Sequence, residues 1–320
     1  MKRLLILFFT VLISITFVVS GSALSEELKG NLIIFHAGSL TIPFKELTSA
    51  FNEKYPNVNV LKEPAGSRTC ARKISDLKKP CDVMASADYT VIEKLLIPNY
   101  TEWNLSFATN EMAIMYTKKS KYAKDINSDN WYKIFLKEGV QYGHSDPNAD
   151  PCGYRSVLVM QLAEKHYKVD GLYRKLVDKL PLKNIRPKSV ELIALIDTGE
   201  LDYAFEYRSV CEQHKKPFVL LPDEINLKLE EYRDFYQQAL VEVSGKKPGT
   251  KITKIGQPMV YGITIPKSSL NPEAAKAFIE FLISPEGQNI MKKNGQPPIV
   301  PAIQTGDKTK IPENLKTLSK

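Results

Sequence analysis

Strand-like apolar runs alternate with amphipathic helical stretches along most of this chain, and the changes of pattern are abrupt. NLIIFHA at 31–37 reads as a buried strand and passes through Gly38, Ser39 and Leu40 into TIPFKELTSAFNEKY, an amphipathic helix with Pro43 in its first turn. The succession recurs: VNVLKEP is a strand, TCARKISDL a helix, and CDVMASAD a third strand. NEMAIMYT, VQYGHSD and LDYAFEY follow as strands, with YRSVLVMQLAEKHY and SVELIALIDTGE as helices, the latter ending at Gly199. MVYGITIPK is a late strand, and NPEAAKAFIEFLISPEGQNIMKKNG a helical tail. This alternation implies an α/β architecture with largely parallel sheets flanked by helices.

A chain of 320 residues favours two domains over one. No Gly/Ser-rich linker separates them and no internal repeat is visible, so the chain is expected to cross between lobes more than once, near 113–118 and 254–262. Residues 31–112 with 258–320 then form a discontinuous first lobe and 113–257 a second. Two such lobes enclose a cleft lined by strand C-termini. SGKKPGTKITK at 244–254 reads as an exposed loop.

At the N-terminus, Lys2 and Arg3 precede LLILFFTVLISITFVV and then the small residues SGSALS. That order describes a signal peptide over 1–24, cut near Ala23 or Ser25; a retained membrane anchor is the rival reading. With no Cys at that border a lipid anchor is not expected. The mature protein is expected to be soluble and exported, to the periplasm or the outer face of the cytoplasmic membrane. Removing Lys2 and Arg3 takes the formal charge from +8 to +6. The basic residues are scattered without interleaved aromatics, which argues against nucleic acid. Cys70, Cys81, Cys152 and Cys211 lack zinc-site spacing. In an oxidising compartment Cys70 and Cys81 are the first pair to test, with three full pairings open.

The junctions carry the chemistry. Ser39, Ser67, Asp150 with Cys152, and Ser189 each stand where a strand or loop enters a helix, where backbone N–H groups lack partners and the helix dipole is positive. Taken singly, each serine reads as an N-cap. Several such ends meeting at one point make an anion site that needs no lysine or arginine. Tyr207 closes a strand and supplies a phenolic donor. Glu206 falls by strand parity on the face opposite Tyr207, and Glu191 lies about 200° around its helix from Ser189; both are left out. His36 reads as a hydrogen-bonded histidine under the first loop, and Arg72 and Arg155 as ion-pair formers.

The motifs HAGSL, EPAGSRTCARKI, CDVMASADY, SDPNADPCGYRS and GELDYAFEYRSV, in this order, resemble the molybdate/tungstate-binding proteins of ABC importers, above all their archaeal-type branch. The resemblance spans about 31–305. It implies a two-lobed periplasmic-binding-protein fold of type II, each lobe a mixed, mostly parallel sheet flanked by helices, with a tetrahedral oxyanion in the interlobe cleft, no cofactor and no catalysis. It implies a monomer that hands its ligand to a membrane permease. Carried over by motif, ligand contacts fall on Ser39, Ser67, the amide of Cys152 and Tyr207. Two carboxylates of that branch approach the metal of the oxyanion: one falls on Asp150, and the position of the other is Ser189 here. A sulfate or phosphate carrier is the nearest alternative. An exported hydrolase using a reactive Cys152 is the alternative from another class.

Overall fold

The computed structural model describes residues 27–320, so the signal-peptide reading of 1–24 lies outside the described residues. Thirteen strands are named in chain order. β1 (Gly30–Ala37), β2 (Val58–Ala65), β3 (Val83–Ser86) and β4 (Trp103–Thr109) come first; β5 (Met112–Tyr116), β6 (Tyr142–Ser145), β7 (Ile185–Arg186), β8 (Tyr203–Tyr207) and β9 (Phe218–Leu220) follow. β10 (Leu240–Ser244), β11 (Lys251–Ile255), β12 (Val260–Thr264) and β13 (Pro298–Gly306) complete the set. One sheet has the order β13-β4-β12-β3-β1-β2, a second β7-β6-β8-β5-β9, and β10-β11 form a separate ribbon.

Each sheet is buried by helices for reasons visible in its residues. On β1, Leu32 and Ile34 face one core while Phe35 faces another, so the unbroken apolar run NLIIF fits a strand covered on both sides. The helix Thr41–Lys54 turns Phe44 and Phe51 inward against Phe278 of the helix Pro272–Ile283, with ring centroids 5.7 and 5.5 Å apart. Below β1, the helix Ser67–Ser75 buries Cys70, Ala71 and Ile74 beside Phe35 and Met84. In the second sheet, Phe205 of β8 packs on Trp131 and Phe135, while Ala204 meets Leu192, Ile196 and Leu201 on the other face.

The expected α/β, two-lobed arrangement is present, and its sheets are mixed. Parallel pairing surrounds β1, with β2 and β3, and β6, with β7 and β8. Antiparallel pairing joins β12 to β3 and β4, β13 to β4, and β5 to β8 and β9, so mostly parallel pairing does not hold. β5, by which the chain enters the second sheet, and β12, by which it re-enters the first, run against the parallel strands of each. The chain passes from the first sheet to the second between β4 and β5, through Asn110 and Glu111, and re-enters the first at β12.

Two local expectations are corrected. The stretch 244–254 is not a plain loop: it holds the end of β10, a turn and most of β11. Its Lys254 is buried because it reaches a buried carboxylate. The helical tail divides at Ser284, whose hydroxyl accepts from the Gly287 N–H and starts a second helix, Pro285–Lys293. No helix among the described residues is long and apolar enough to cross a membrane.

Candidate functional site

Five chain corners, two from the first sheet and three from the second, meet between the lobes. In the first, β1 ends at Ala37 and a tight turn, Gly38–Leu40, leads into the helix Thr41–Lys54. Ser39 is buried there, and its Oγ lies 2.9 Å from the Tyr261 hydroxyl of β12. In the second, β2 ends at Ala65 and Gly66 precedes the helix Ser67–Ser75. Ser67 is fully buried and its Oγ accepts the Ala87 N–H at 3.0 Å. Neither serine caps its helix, and Ser189 makes no side-chain cap either. The ordinary explanation of these hydroxyls, an N-cap, therefore fails for all three; Ser39 and Ser67 contact Tyr261 and the Ala87 N–H instead.

The second lobe brings Asp150, Cys152, Ser189 and Tyr207 to the same place. Asp150 caps the helix Pro151–Tyr167: one carboxylate oxygen accepts the Cys152 N–H at 3.3 Å and the other the Ser189 N–H at 2.9 Å. Burial raises the Asp150 pKa, against the pull of the Ser189 and Cys152 amides. Tyr207 ends β8 with its hydroxyl accepting from Arg155 Nη1 at 2.8 Å; the same Nη1 donates to the Ala87 carbonyl, also at 2.8 Å. Tyr207 and Tyr261, one from each lobe, stand with ring centroids 6.4 Å apart. All six residues singled out in the sequence are thus buried within one interlobe cluster.

Glu206 joins them. Parity does set it opposite Tyr207, but the cluster lies beyond the end of β8, where elements from both faces of the sheet converge. On its own face Glu206 meets Ser189 and the thiol of Cys152, whose Sγ is 3.7 Å from Oε1. Oε1 also accepts the Tyr207 N–H at 2.8 Å, whereas Oε2 is buried without a hydrogen-bond partner. Burial drives the Glu206 pKa up to about 8, the Tyr207 N–H opposes this, and the charge of Asp150 adds to it. A carboxyl thus stands beside Ser189, where the sequence resemblance called for one.

Arg155, Tyr261 and Asn110 are further site residues. Arg155 is a buried guanidinium behind the hydroxyls, so the site is not built from neutral groups alone. Arg72 does form the expected ion pair, with Asp76 at 3.0 Å, and also reaches the Gly245 carbonyl. His36 is held under the first corner by Nδ1 to the Ala37 carbonyl at 2.8 Å, and burial lowers its pKa to about 4.

The four cysteines are free and buried, and Cys70 and Cys81, the first pair to test, are not bonded to each other: Cys70 Sγ points to the His36 carbonyl and Cys81 Sγ to that of Val83. Burial raises the Cys152 thiol far above its ordinary pKa, the opposite of the lowered thiol that a reactive Cys152 calls for.

The lobes touch at these corners. The N–H groups of Arg68 and Thr69, at the start of the Ser67 helix, donate to the Ala149 carbonyl of the other lobe at 3.1 and 3.3 Å. A Cβ on Gly66 would collide with that carbonyl, and one on Gly38 would sit 3.2 Å from Val190 Cγ2. Glycine at 66 lets the two backbones meet. Gly66→Ala is expected to hold the cleft ajar and to weaken anion binding at least about tenfold, the factor that corresponds to 1.4 kcal/mol. Calorimetry together with a larger radius of gyration of the loaded variant in solution scattering would register it.

Residues 32–296 match the family of bacterial extracellular solute-binding proteins. The chain belongs to that family. A solute-binding protein of Petrotoga mobilis is 57% identical over 87% of each chain. The molybdate/tungstate-binding protein WtpA of Pyrococcus abyssi is 40% identical over 93% of this chain and 92% of its own. Among solved structures, the periplasmic molybdate-binding protein of Azotobacter vinelandii superposes with a TM-score of 0.59 at 17% identity, covering 83% of this chain and 98% of that one. That likeness shows a shared fold.

Proposed function

We propose that this solute-binding protein is exported by a cleaved signal peptide at 1–24, captures molybdate or tungstate as a monomer outside the cytoplasmic membrane, and delivers it to an ABC permease. Residues 31–112 with 258–320 act as one lobe and 113–257 as the other, and the permease reads the closed form. One observation carries the reading: Ser39, Ser67 and Tyr207 present buried hydroxyls from both lobes to one point, and none of them is used to cap a helix. The molybdate/tungstate-binding relative at 40% identity supports the choice of anion.

Closing the lobes exchanges the water shell of a dianion for fixed donors, with Arg155 behind them to offset its charge. Asp150 and Glu206 are the two carboxyl groups that approach the metal of the guest. A dianion beside two carboxylates is repelled, so Glu206 enters as the neutral acid. It keeps that proton and donates it as a hydrogen bond to an oxygen of the guest.

Ser39→Ala and Ser67→Ala are each expected to weaken tungstate binding by about 1–3 kcal/mol, the usual effect of a lost buried hydrogen-bond partner. Titration calorimetry with tungstate, and competition by molybdate, sulfate and phosphate, measures this and ranks the anions. Wild-type affinity in both variants would refute the site.

A further inference from the structure

The anion site leaves one buried guanidinium unused. Arg68 is 1% exposed, yet its hydrogen bonds go to no acid. Its Nε donates to the Asn148 carbonyl of the second lobe at 3.0 Å, and its Nη2 to the carbonyl and hydroxyl of Ser244 in the β10-β11 ribbon. Arg72, one turn further along the same helix, repeats the pattern: Nη2 donates to Ser244 Oγ at 3.2 Å and to the Gly245 carbonyl at 2.7 Å. Lys254 reaches the other way, from the ribbon to Asp88 Oδ2 at 2.9 Å and the Thr90 hydroxyl at 2.5 Å, both in the first lobe. Register sets Lys254 on one face of the ribbon with Val241, Val243 and Ile252. Ile252 packs against the first-lobe cluster of Phe35, Cys70 and Ile74 as well as against the main core.

The ribbon is held differently on its two sides. Toward the second lobe it continues the chain, Gln161 exchanges two hydrogen bonds with Leu240, and the Ser244 N–H donates to Asn148 Oδ1 at 2.9 Å. Toward the first lobe, among the described residues, no backbone-to-backbone hydrogen bond joins it; side chains make every contact. Contacts of that kind part together without unpicking a strand. We propose that Arg68, Arg72 and Lys254 are positioning residues that clasp the ribbon, a strap carried by the second lobe, onto the first lobe, and that this clasp sets how long the closed cleft holds its guest. The proposal rests on the reading of the interlobe cluster as the guest's site. The guest enters before the lobes close, and so before the clasp forms, but leaves only after it parts. The clasp therefore acts on release and hardly on capture. Arg68 directly follows Ser67, which joins the clasp to that corner.

Arg72→Ala tests this, because Arg72 is partly exposed and its only ion pair is the helical one with Asp76, whose loss costs the fold little. Asp76→Ala is the control: it breaks the same ion pair and leaves the ribbon contact in place. Release is timed by chasing protein loaded with isotopically enriched tungstate with ordinary tungstate and counting the two species by native mass spectrometry. Calorimetry supplies the affinity, and the two together give the association rate. Arg72→Ala is expected to release tungstate about tenfold faster, the factor for one lost hydrogen-bond partner, with association changed less than about twofold and the melting temperature of the empty protein unchanged. Asp76→Ala should match the wild type. Unchanged release in Arg72→Ala, the same acceleration in Asp76→Ala, or a loss that lies in association would overturn the proposal. A second readout needs no guest. The Arg68 and Thr69 N–H groups, at a helix start without intrahelical partners, are bonded to the Ala149 carbonyl across the lobes, so their hydrogen exchange reports closure. Were the wild type to take up no tungstate, the oxyanion reading alone would fall. Faster exchange of these amides in empty Arg72→Ala but not in Asp76→Ala would still support the strap, and equal exchange in all three proteins would overturn it.

Discussion

Lys254→Met is expected to lower the free energy of unfolding by about 3–5 kcal/mol, the range for removing one partner of a buried ion pair. The pair is Lys254 Nζ to Asp88 Oδ2 at 2.9 Å, with side chains 8% and 3% exposed, so water cannot replace the missing partner. Asp88 is surrounded by donors: the Thr90 N–H and hydroxyl, the Tyr154 hydroxyl and the Lys254 ammonium. Burial alone would raise its pKa, but Lys254 and Arg155 together hold it well below the ordinary carboxylate range. A lowered carboxylate stabilises the fold above its unfolded pKa and loses that contribution as pH falls toward the folded value, so on the Asp88 side the pair weakens in strong acid; burial lowers the Lys254 pKa, so on that side it weakens as pH becomes alkaline. Urea unfolding near pH 7 measures the effect. Asp88→Asn added to Lys254→Met should restore part of the loss by removing the stranded charge. A loss below about 1 kcal/mol in the single variant would place the pair with surface bridges.

The same substitution should weaken tungstate binding. Asp88 follows β3 in the first lobe, Tyr154 sits in the helix after β6 in the second, and Lys254 is on the β10-β11 ribbon. The ribbon is tied to that helix by Gln161, which exchanges two hydrogen bonds with the backbone of Leu240, both 2.9 Å. Arg68, in the helix that carries Ser67, donates to Ser244 of the ribbon. Lys254 therefore fastens both halves while touching no ligand group.

Local sequence carried the corners well and the contacts between them poorly. The switch from NLIIFHA to TIPFKEL places β1, the turn and the helix, because the apolar period and Pro43 act within one stretch of chain. Ser67 and Asp150 are legible for the same reason. β4, with the sequence WNLSFAT, escapes because its polar Asn104 and Ser106 are buried by pairing to strands far away in sequence, β12 and β13. Tyr261, Asn110 and Arg155 are ordinary residues until folding sets them behind the hydroxyls. Glu206 is the instructive miss. Strand parity describes the middle of a sheet, whereas a site past the last residue of a strand is reached from both faces, so opposite parity does not exclude a side chain there. The signal available was a lone acid in an otherwise apolar strand, YAFEY, where an unpaired carboxylate needs a reason.

Tungstate affinity is expected to stay level from about pH 6 to pH 8 and then to fall about tenfold for each further pH unit, because only the form with Glu206 protonated accepts the dianion. The sign follows from the direction of the shift. Glu206 holds its proton up to about 8 in the folded protein, against an ordinary 4.5, so raising the pH through 8 places a second negative charge beside Asp150. The groups facing it oppose any earlier loss. Asp150 adds to the upward shift, the Cys152 and Cys211 thiols are raised well above their ordinary value by burial, and the Tyr207 phenol is raised likewise. The guest itself stays a dianion throughout, since tungstate gains a proton only in acid. Glu206→Gln supplies a neutral donor of nearly the same shape, and its profile should run flat through the step. Calorimetry at several pH values in buffers of different ionisation enthalpy also counts protons. Near pH 8 the wild type should take up a fraction of a proton with each tungstate, and the glutamine variant none. A wild-type profile without a break, or one with the same break in Glu206→Gln, would detach Glu206 from the guest. The step would then belong to another group, and the fall in folding stability that a raised acid imposes between pH 4.5 and about 8 would remain as its only signature.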